Sequence, residues 1–531
     1  SPMASSRAAA AAALLLAIGD LVFPWPWLRW GLPPGIVAFA VVAALLWPQA
    51  KLDTRRSEID NALPFFMTHF GVLSTANIPR TEIFRILAGR KEYKALAGEL
   101  ERLHGLVVHW NMALPEACRF VSRSTPSQIL GDFLERLAHA METGQDLAAF
   151  LQGEQSVVMK EYATVYETSI YQIEKWKDLY TSSMMSGAFF VIFAIIMPII
   201  SGGSPQRMLM GTFAFVLFLE VILLGVLKMR TPADRLWHRL PIETPERRAI
   251  RRRVLGAAAA SALLAVPLYL LTPLGAGPVL AIAVAPLAGA GWLARQVEER
   301  IKRREDNYAA FIRSLGASVA ARGGSLREVM RTVRQHNFGP LSDLVDRLYA
   351  RLSWRLDDGG AWKHFSAESG SHLVDSFTDM FIEGIQAGGK GDQVGQIISD
   401  NVVRILNLRK ARYSTANTFR GTLNGLTASM AFVMFIGVGI LGTLGSIFAF
   451  SGATAGGVSP VNVDFRVDQG LIEDLVLLLV AIHCFIAAWM TKMVDGGSLP
   501  AGLLTLVVMV WITVALSYAS AAVLPRVFNV A

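Results

Sequence analysis

The chain has 531 residues, 53% hydrophobic and 17% charged, with 50 Lys and Arg against 42 Asp and Glu for a net charge of +8; soluble domains usually hold about 25% charged residues. Intrinsic disorder is excluded, because disordered chains lack the apolar residues a core needs. A purely soluble chain is excluded too, because the apolar residues fall in long uncharged runs rather than evenly.

Nine such runs lie near residues 8–23, 32–47, 184–200, 209–227, 255–271, 278–294, 423–448, 475–490 and 503–523. Each approaches the roughly 20 residues that a helix rising about 1.5 Å per residue needs to cross the hydrocarbon core. The first is short enough for a secretory leader, but Asp20 and the Pro/Trp-rich stretch after it do not resemble a small-residue cleavage site, so it is read as a span. An excess of Lys and Arg marks the cytoplasmic side of a span. With the N-terminus inside, the outer loops hold only Arg29, Arg207, Arg466 and Arg526. Lys51, Arg55, Arg56, Lys228, Arg230, Arg251, Arg252, Arg253, Arg300, Lys302, Arg303 and Arg304 then flank the spans on the inside. Nine spans from that start place the C-terminus outside.

The runs divide the chain into spans 1–2 (1–50), a polar segment (51–183), spans 3–4 (184–228), a basic cytoplasmic loop (229–254), spans 5–6 (255–294), a second polar segment (295–422) and spans 7–9 (423–531). The two polar segments repeat each other weakly. Phe66, Gly71, Glu82 and Arg85 have counterparts in Phe311, Gly316, Glu328 and Arg331 at an offset of 245 or 246, and Phe133 and Gly144 in Phe377 and Gly388 at 244. The near-constant offset carries the argument.

Both segments read as helical. Pro79 is placed at a first helical position, and Thr125-Pro126 reads as an N-cap followed by proline. Leu130, Phe133, Leu134, Leu137 and Met141 form an apolar stripe at helical spacing, stopped at Gly144; Val374, Phe377, Met380, Phe381 and Ile385 form another, stopped at Gly388. From Glu154 to Ile200, proline first occurs at Pro198, and 392–439 is equally unbroken. One helix is therefore expected to leave each bundle and enter the bilayer. The predicted fold is an all-α polytopic membrane protein with two repeated cytoplasmic helical bundles.

Catalytic chemistry is sparse. Gly388-Gly389-Lys390-Gly391 lacks the spacing of a phosphate loop and reads as a turn. His104 and His109 are five apart, off one helical face, without a third ligand nearby. Cys118 and Cys484 fall in different environments, so no disulfide framework or multi-cysteine metal site is expected. Inside the spans, Asp20 can reach the interface, and His483 with Cys484 reads as a packed polar pair. Glu220 sits mid-span, where a carboxylate is either an interhelical hydrogen-bonding partner or a functional group.

The stretch Asp60-Asn61-Ala62-Leu63-Pro64-Phe65-Phe66, the turn from Ser74 to Pro79 and Thr143-Gly144-Gln145-Asp146-Leu147 resemble the F-type platform proteins of type II secretion and type IV pilus machines. Two such domains with about nine spans resemble the archaeal form, which serves the archaellum or an adhesive pilus. The resemblance implies a non-enzymatic platform without a cofactor and carries over no active site; Gly144 and Gly388 transfer only as structural turns. It also implies a cytoplasmic hexameric secretion ATPase and pilin-like or archaellin subunits as partners, contact with membrane lipid, a homodimer, and no nucleic acid.

The basic residues Arg247, Arg248, Arg251, Arg252 and Arg253 of the middle loop, with Arg300, Lys302, Arg303 and Arg304, are candidates either for docking an acidic ATPase surface or for anchoring to anionic lipid. The alternative function is a secondary transporter built from internal repeats, which needs a polar site near the midplane. Glu220 is its one mid-span carboxylate, and both polar segments precede their spans in the same order rather than inverted.

Overall fold

The computed structural model describes residues 26–76, 78–201, 205–232, 234–323, 326–354, 357–454 and 469–527. Among them the secondary structure is helical throughout apart from turns and one isolated bridge, Trp237 to Ser371. The first lobe begins with α1 (Pro26–Ser74) and continues through α2 (Arg80–Ala88), α3 (Ala95–His109), α4 (Leu114–Ser124) and α5 (Gln128–Glu142) into α6 (Leu147–Ser201). Next come α7 (Pro205–Arg230) and α8 (Pro245–Leu271). The second lobe follows with α9 (Ala276–Arg322), α10 (Leu326–Val333), α11 (Ser342–Ser353), α12 (Asp358–Ser369), α13 (His372–Gln386) and α14 (Gly391–Thr454). The chain then runs through α15 (Gln469–Asp495) and α16 (Leu499–Val527). Helices α1–α6 and α9–α14 are thus the same six elements in the same order.

The repeat extends to the turns. Both α5 and α13 end in a left-handed glycine, Gly144 at φ +73° and Gly388 at φ +87°. In the first turn Gln145 N–H donates to the Ala140 carbonyl at 3.0 Å and Gly144 N–H to Met141; in the second Gly389 N–H donates to Gly384 at 2.8 Å and Gly388 N–H to Ile385. This pair of bonds satisfies carbonyls that the helix end would otherwise leave bare.

Two helix starts differ from the sequence expectation. Pro79 is the cap before α2 rather than its first residue. Thr125 closes α4, and the N-cap of α5 is Ser127, whose hydroxyl accepts from Leu130 N–H. Ser127 wins because the same hydroxyl also donates to Asp60 on α1, fixing helix start and helix packing together.

Seven helices among the described residues are long and apolar enough to cross a membrane: α6 to α9 and α14 to α16. These match the third to ninth runs of the sequence. The first run lies outside the described residues, and the second falls within the continuous α1. Helix α6 has 55 residues and α14 has 64, or about 80 and 95 Å at about 1.5 Å per residue. Each belongs at once to a lobe and to the apolar span region, where Met184, Val191, Met430 and Met434 share one core with residues of α7, α15 and α16. Helix α8 differs: its apolar side chains point outward, Leu271 to 83% exposure, which suits lipid.

Candidate functional site: the lobe seam and the basic middle segment

The two lobes meet along α1, α13 and α14. Phe65 stacks on Phe377 at 5.3 Å and on His372 at 5.8 Å between ring centres. Val72 from the first lobe is buried in the core of the second. Gly384 permits that approach, since a Cβ there would stand 2.2 Å from Val72 Cγ1. Polar contacts run alongside. Asn401 donates to Thr68 Oγ1 at 2.9 Å. The buried His69 places Nδ1 2.9 Å from the Tyr93 hydroxyl and Nε2 2.7 Å from Glu383. Arg90 also pairs with Glu383 and reaches Asp379 at 3.4 Å. Burial works to raise the Glu383 pKa, but His69 and Arg90 outweigh it and hold the carboxyl below its usual range.

A second polar centre lies where the lobes meet the middle segment. Arg409 on α14 is 1% exposed, and its guanidinium holds Asp234 through two bonds of 2.8 and 2.6 Å, Glu305 on α9 at 2.8 Å and the Arg235 carbonyl at 3.0 Å. A planar fork suits several acceptors at once. Glu305 also accepts from the Ser371 hydroxyl, the N-cap of α13. This repeats the first lobe: Asp60 and Glu305 are 245 apart, Ser127 and Ser371 are 244 apart, and each serine caps a helix while bonding the acid. Arg409 adds the middle segment to the second copy, and His372 N–H donates to the Leu236 carbonyl at 2.8 Å, zipping that segment to the cap.

Beside this centre a cavity of about 660 Å³ opens between the lobes, lined among others by Glu58, Glu92, Arg235, Arg239, His372 and Asp375. Burial, then the neighbouring Asp379 and Glu92, push the Asp375 carboxyl up to about 7. Burial and Arg409 push the His372 imidazole down to about 4. The lining mixes apolar side chains such as Phe65, Met380 and Leu408 with polar ones, among them Ser376, whose Oγ lies 3.4 Å from His372 Nδ1 one turn earlier on α13; among the described residues no three His, Cys, Asp or Glu side chains are grouped to hold a metal.

The basic candidates separate into two sets. Arg247, Arg248, Arg251, Arg252 and Arg253 project from the first turns of α8 and are exposed, as are Arg300 and Arg303 on α9. Glu243 lies 3.4 Å from Arg248 and 3.8 Å from Arg251, and together with Leu240, Arg247 and Arg252 these residues line a concavity of about 620 Å³. Five arginines at a helix N-terminus oppose the helix dipole and repel one another at i,i+4; that arrangement disfavours the isolated helix and suits an anionic surface outside it. Arg304 and Lys302 face inward instead. Arg304, 11% exposed, pairs with Glu246 at 3.0 Å and donates to the carbonyls of Glu368 and Ser369. Lys302 sits 3.7 Å over the Tyr413 ring and 3.4 Å from Asp495.

Glu220 is fully buried where α7 meets α6 and α15. It pairs with His483, whose Nε2 lies 3.2 Å from Thr427 Oγ1 on α14, and it accepts from the Tyr180 hydroxyl at 3.3 Å. Four helices thus converge on one polar cluster within the spans. His104 and His109 lie on α3 without a shared ligand set.

Sequence reading did not single out Arg409, Asp234, the two serine and acid pairs, or His69 with Glu383. The repeat offset would have found the serine and acid pairs, since both members recur at 244 or 245. Arg409, Asp234 and the His69 to Glu383 contact have no counterpart of that kind.

The profile of type II secretion system (T2SS), protein F, matches twice, over residues 66–195 and 311–444, the two lobes with the spans they enter. The flagella accessory protein J of Methanococcus voltae is 32% identical over 480 residues, covering 88% of this chain and 86% of that protein. That of Methanocaldococcus jannaschii is 32% identical over 505 residues, covering 92% and 89%. No solved structure matches. A duplicated six-helix lobe driving into apolar spans, two F-type matches at the repeat spacing and end-to-end similarity to these relatives together make the chain a member of the flagella accessory protein J family, the all-α, multi-pass membrane platforms with paired F-type domains.

Proposed function

We propose that the chain is a non-enzymatic platform for an archaellum or related pilus-like filament, with its N-terminus and both lobes in the cytoplasm and its C-terminus outside. A hexameric secretion ATPase docks on the lobes, guided by the exposed arginines of the middle segment, and its motion tilts the lobes. The tilt passes along α6 and α14 into the spans, where pilin-like subunits enter the filament. The platform works as a homodimer.

The observation that carries this reading is the continuity of α6 and α14 from lobe to span. A force applied to a lobe is delivered to the bilayer by a helix without a hinge at Ser183. The seam at His69 and Glu383 makes the two lobes move as one body, and the Arg409 centre ties the middle segment to the second lobe. The arginines of α8 contribute steering, because complementary charge speeds encounter.

The test is direct binding of the ATPase to the full chain in nanodiscs, with Arg247, Arg248, Arg251, Arg252 and Arg253 changed to Glu. Affinity falls at least tenfold and loses most of its salt dependence if the arginines steer docking. Unchanged binding would remove the docking role from that segment.

A further inference from the structure

Trp110 and Trp354 close the same helix of the two lobes. Trp110 is the residue after α3, Trp354 the residue after α11, and they are 244 apart, the offset that also relates Ser127 to Ser371. Both indoles are open to solvent, at 77% and 78% exposure. The lobes do bury such a side chain where the fold needs it: Trp362 is 2% exposed within the second core, and Trp176 and Trp237 are half-buried. Among the described side chains the other exposed tryptophans, Trp47, Trp292, Trp489 and Trp511, lie in or beside the apolar spans.

The rest of the lobe surface has not stayed alike. Residues 51–183 carry 15 Lys and Arg against 17 Asp and Glu, whereas 295–422 carry 20 against 15. One lobe is therefore slightly acidic and the other basic, so charge is not what the two surfaces share. The shared feature is an unburied indole at one structural position. An isolated tryptophan left in water stabilises nothing in the fold, while a buried one is among the strongest anchors of a protein interface.

We propose that Trp110 and Trp354 are equivalent docking anchors, one on each lobe, each filling an apolar pocket on a partner that presents the same pocket at least twice. Equivalent anchors on a duplicated chain call for equivalent sites, which a symmetric homo-oligomer supplies. The inference rests on the assembly-platform reading, under which that partner is the hexameric secretion ATPase. Two contacts held by one rigid body bind with an effective concentration that neither has alone, so the middle-segment arginines steer encounter and the tryptophans hold the complex.

The experiment measures the dissociation constant of the purified hexameric secretion ATPase for the full chain in nanodiscs, using wild type, Trp110→Ala, Trp354→Ala and the double variant. Each single variant weakens binding about tenfold or more, by similar factors, and the double variant by about their product. Trp→Phe at either site retains most of the affinity. Melting temperatures stay at the wild-type value, as expected for side chains that pack against little. If the ATPase binds wild type and all variants alike, the anchor assignment is wrong and the platform reading stands. If it does not bind wild type, the platform reading fails and takes the assignment with it. Quenching by brominated lipid of the fluorescence lost in the double variant would assign the indoles to the bilayer, and conversion of a dimer to a monomer in that variant would assign them to a second copy; either result overturns the proposal.

Discussion

His69 Nε2 stands 2.7 Å from a Glu383 carboxylate oxygen, across the seam between the lobes and 314 residues away in sequence. Arg90 shares the same carboxylate. The Glu383 carboxyl is held below its ordinary 4.5, so it binds its proton less tightly folded than unfolded. Its stabilisation is complete above that value and is lost as pH falls through the lower folded pKa. Lobe-to-lobe crosslinking between cysteines placed on α1 and α13 is therefore steady at neutral pH and weakens below about pH 4. In Glu383→Gln that acid transition is flattened, and the neutral-pH melting temperature drops by a few degrees because His69 and Arg90 lose the carboxylate charge they share.

Arg409 poses a larger demand. Removing it leaves Asp234 and Glu305 buried without their cation, a change that costs about 3–5 kcal/mol in comparable buried pairs. Arg409→Met is expected to lower the melting temperature sharply and to loosen residues 234–238, read as faster amide exchange at His238 and His372. Adding Asp234→Asn and Glu305→Gln restores much of the loss, because the penalty arises from stranded charge. If the triple variant is no better than the single, packing rather than charge explains the site.

Asp375 behaves in the opposite sense to Glu383. Its carboxyl is raised to about 7 by burial and by Asp379 and Glu92, so the folded chain holds its proton more tightly than the unfolded one. Stability then declines as pH rises from the ordinary 3.8 towards about 7. Asp375→Asn removes that decline: its melting temperature exceeds wild type at about pH 8 and matches it at about pH 4. Equal pH profiles for the two proteins would contradict the placement of Asp375 in the cleft.

Gly384 sets how closely the lobes approach. A methyl group there would meet Val72 Cγ1 at 2.2 Å, and overpacking of this kind costs about 1–3 kcal/mol. Gly384→Ala lowers the melting temperature and Gly384→Ala with Val72→Ala recovers part of it. Gly153→Ala, on α6 with nothing within 4 Å of its added carbon, is neutral or slightly stabilising, as helix propensity requires.

The features with a period were readable before the structure. Apolar runs gave the spans that the described residues contain, the stripes Leu130 to Leu137 and Val374 to Phe381 proved to be buried helix faces, and the offset of 244 to 246 located the duplicated lobes. Contacts between distant elements were not readable. Nothing in the local sequence pairs His69 with Glu383 or Arg409 with Asp234, because each partner sits on a separate helix whose packing decides the contact. Charge alone also misled in part: Lys302 and Arg304 look like Arg300 and Arg303 in sequence, yet they turn inward to Asp495 and Glu246. One step along a helix rotates a side chain by about 100°, enough to exchange solvent for a buried partner.

The account depends on α6 carrying motion without bending. Spin labels at Thr168→Cys and Phe193→Cys, with Cys118 and Cys484 replaced by Ala, bracket the passage from lobe to span on nearly one helical face. A separation of 25 residues corresponds to about 38 Å along a straight helix. Measured by pulsed electron resonance in nanodiscs, the distance distribution is predicted to stay narrow and centred near that value, with the ATPase absent, bound, or turning over nucleotide. A broad distribution, or a second shorter population when nucleotide is consumed, would show a hinge between lobe and membrane and contradict the transmission of tilt through α6.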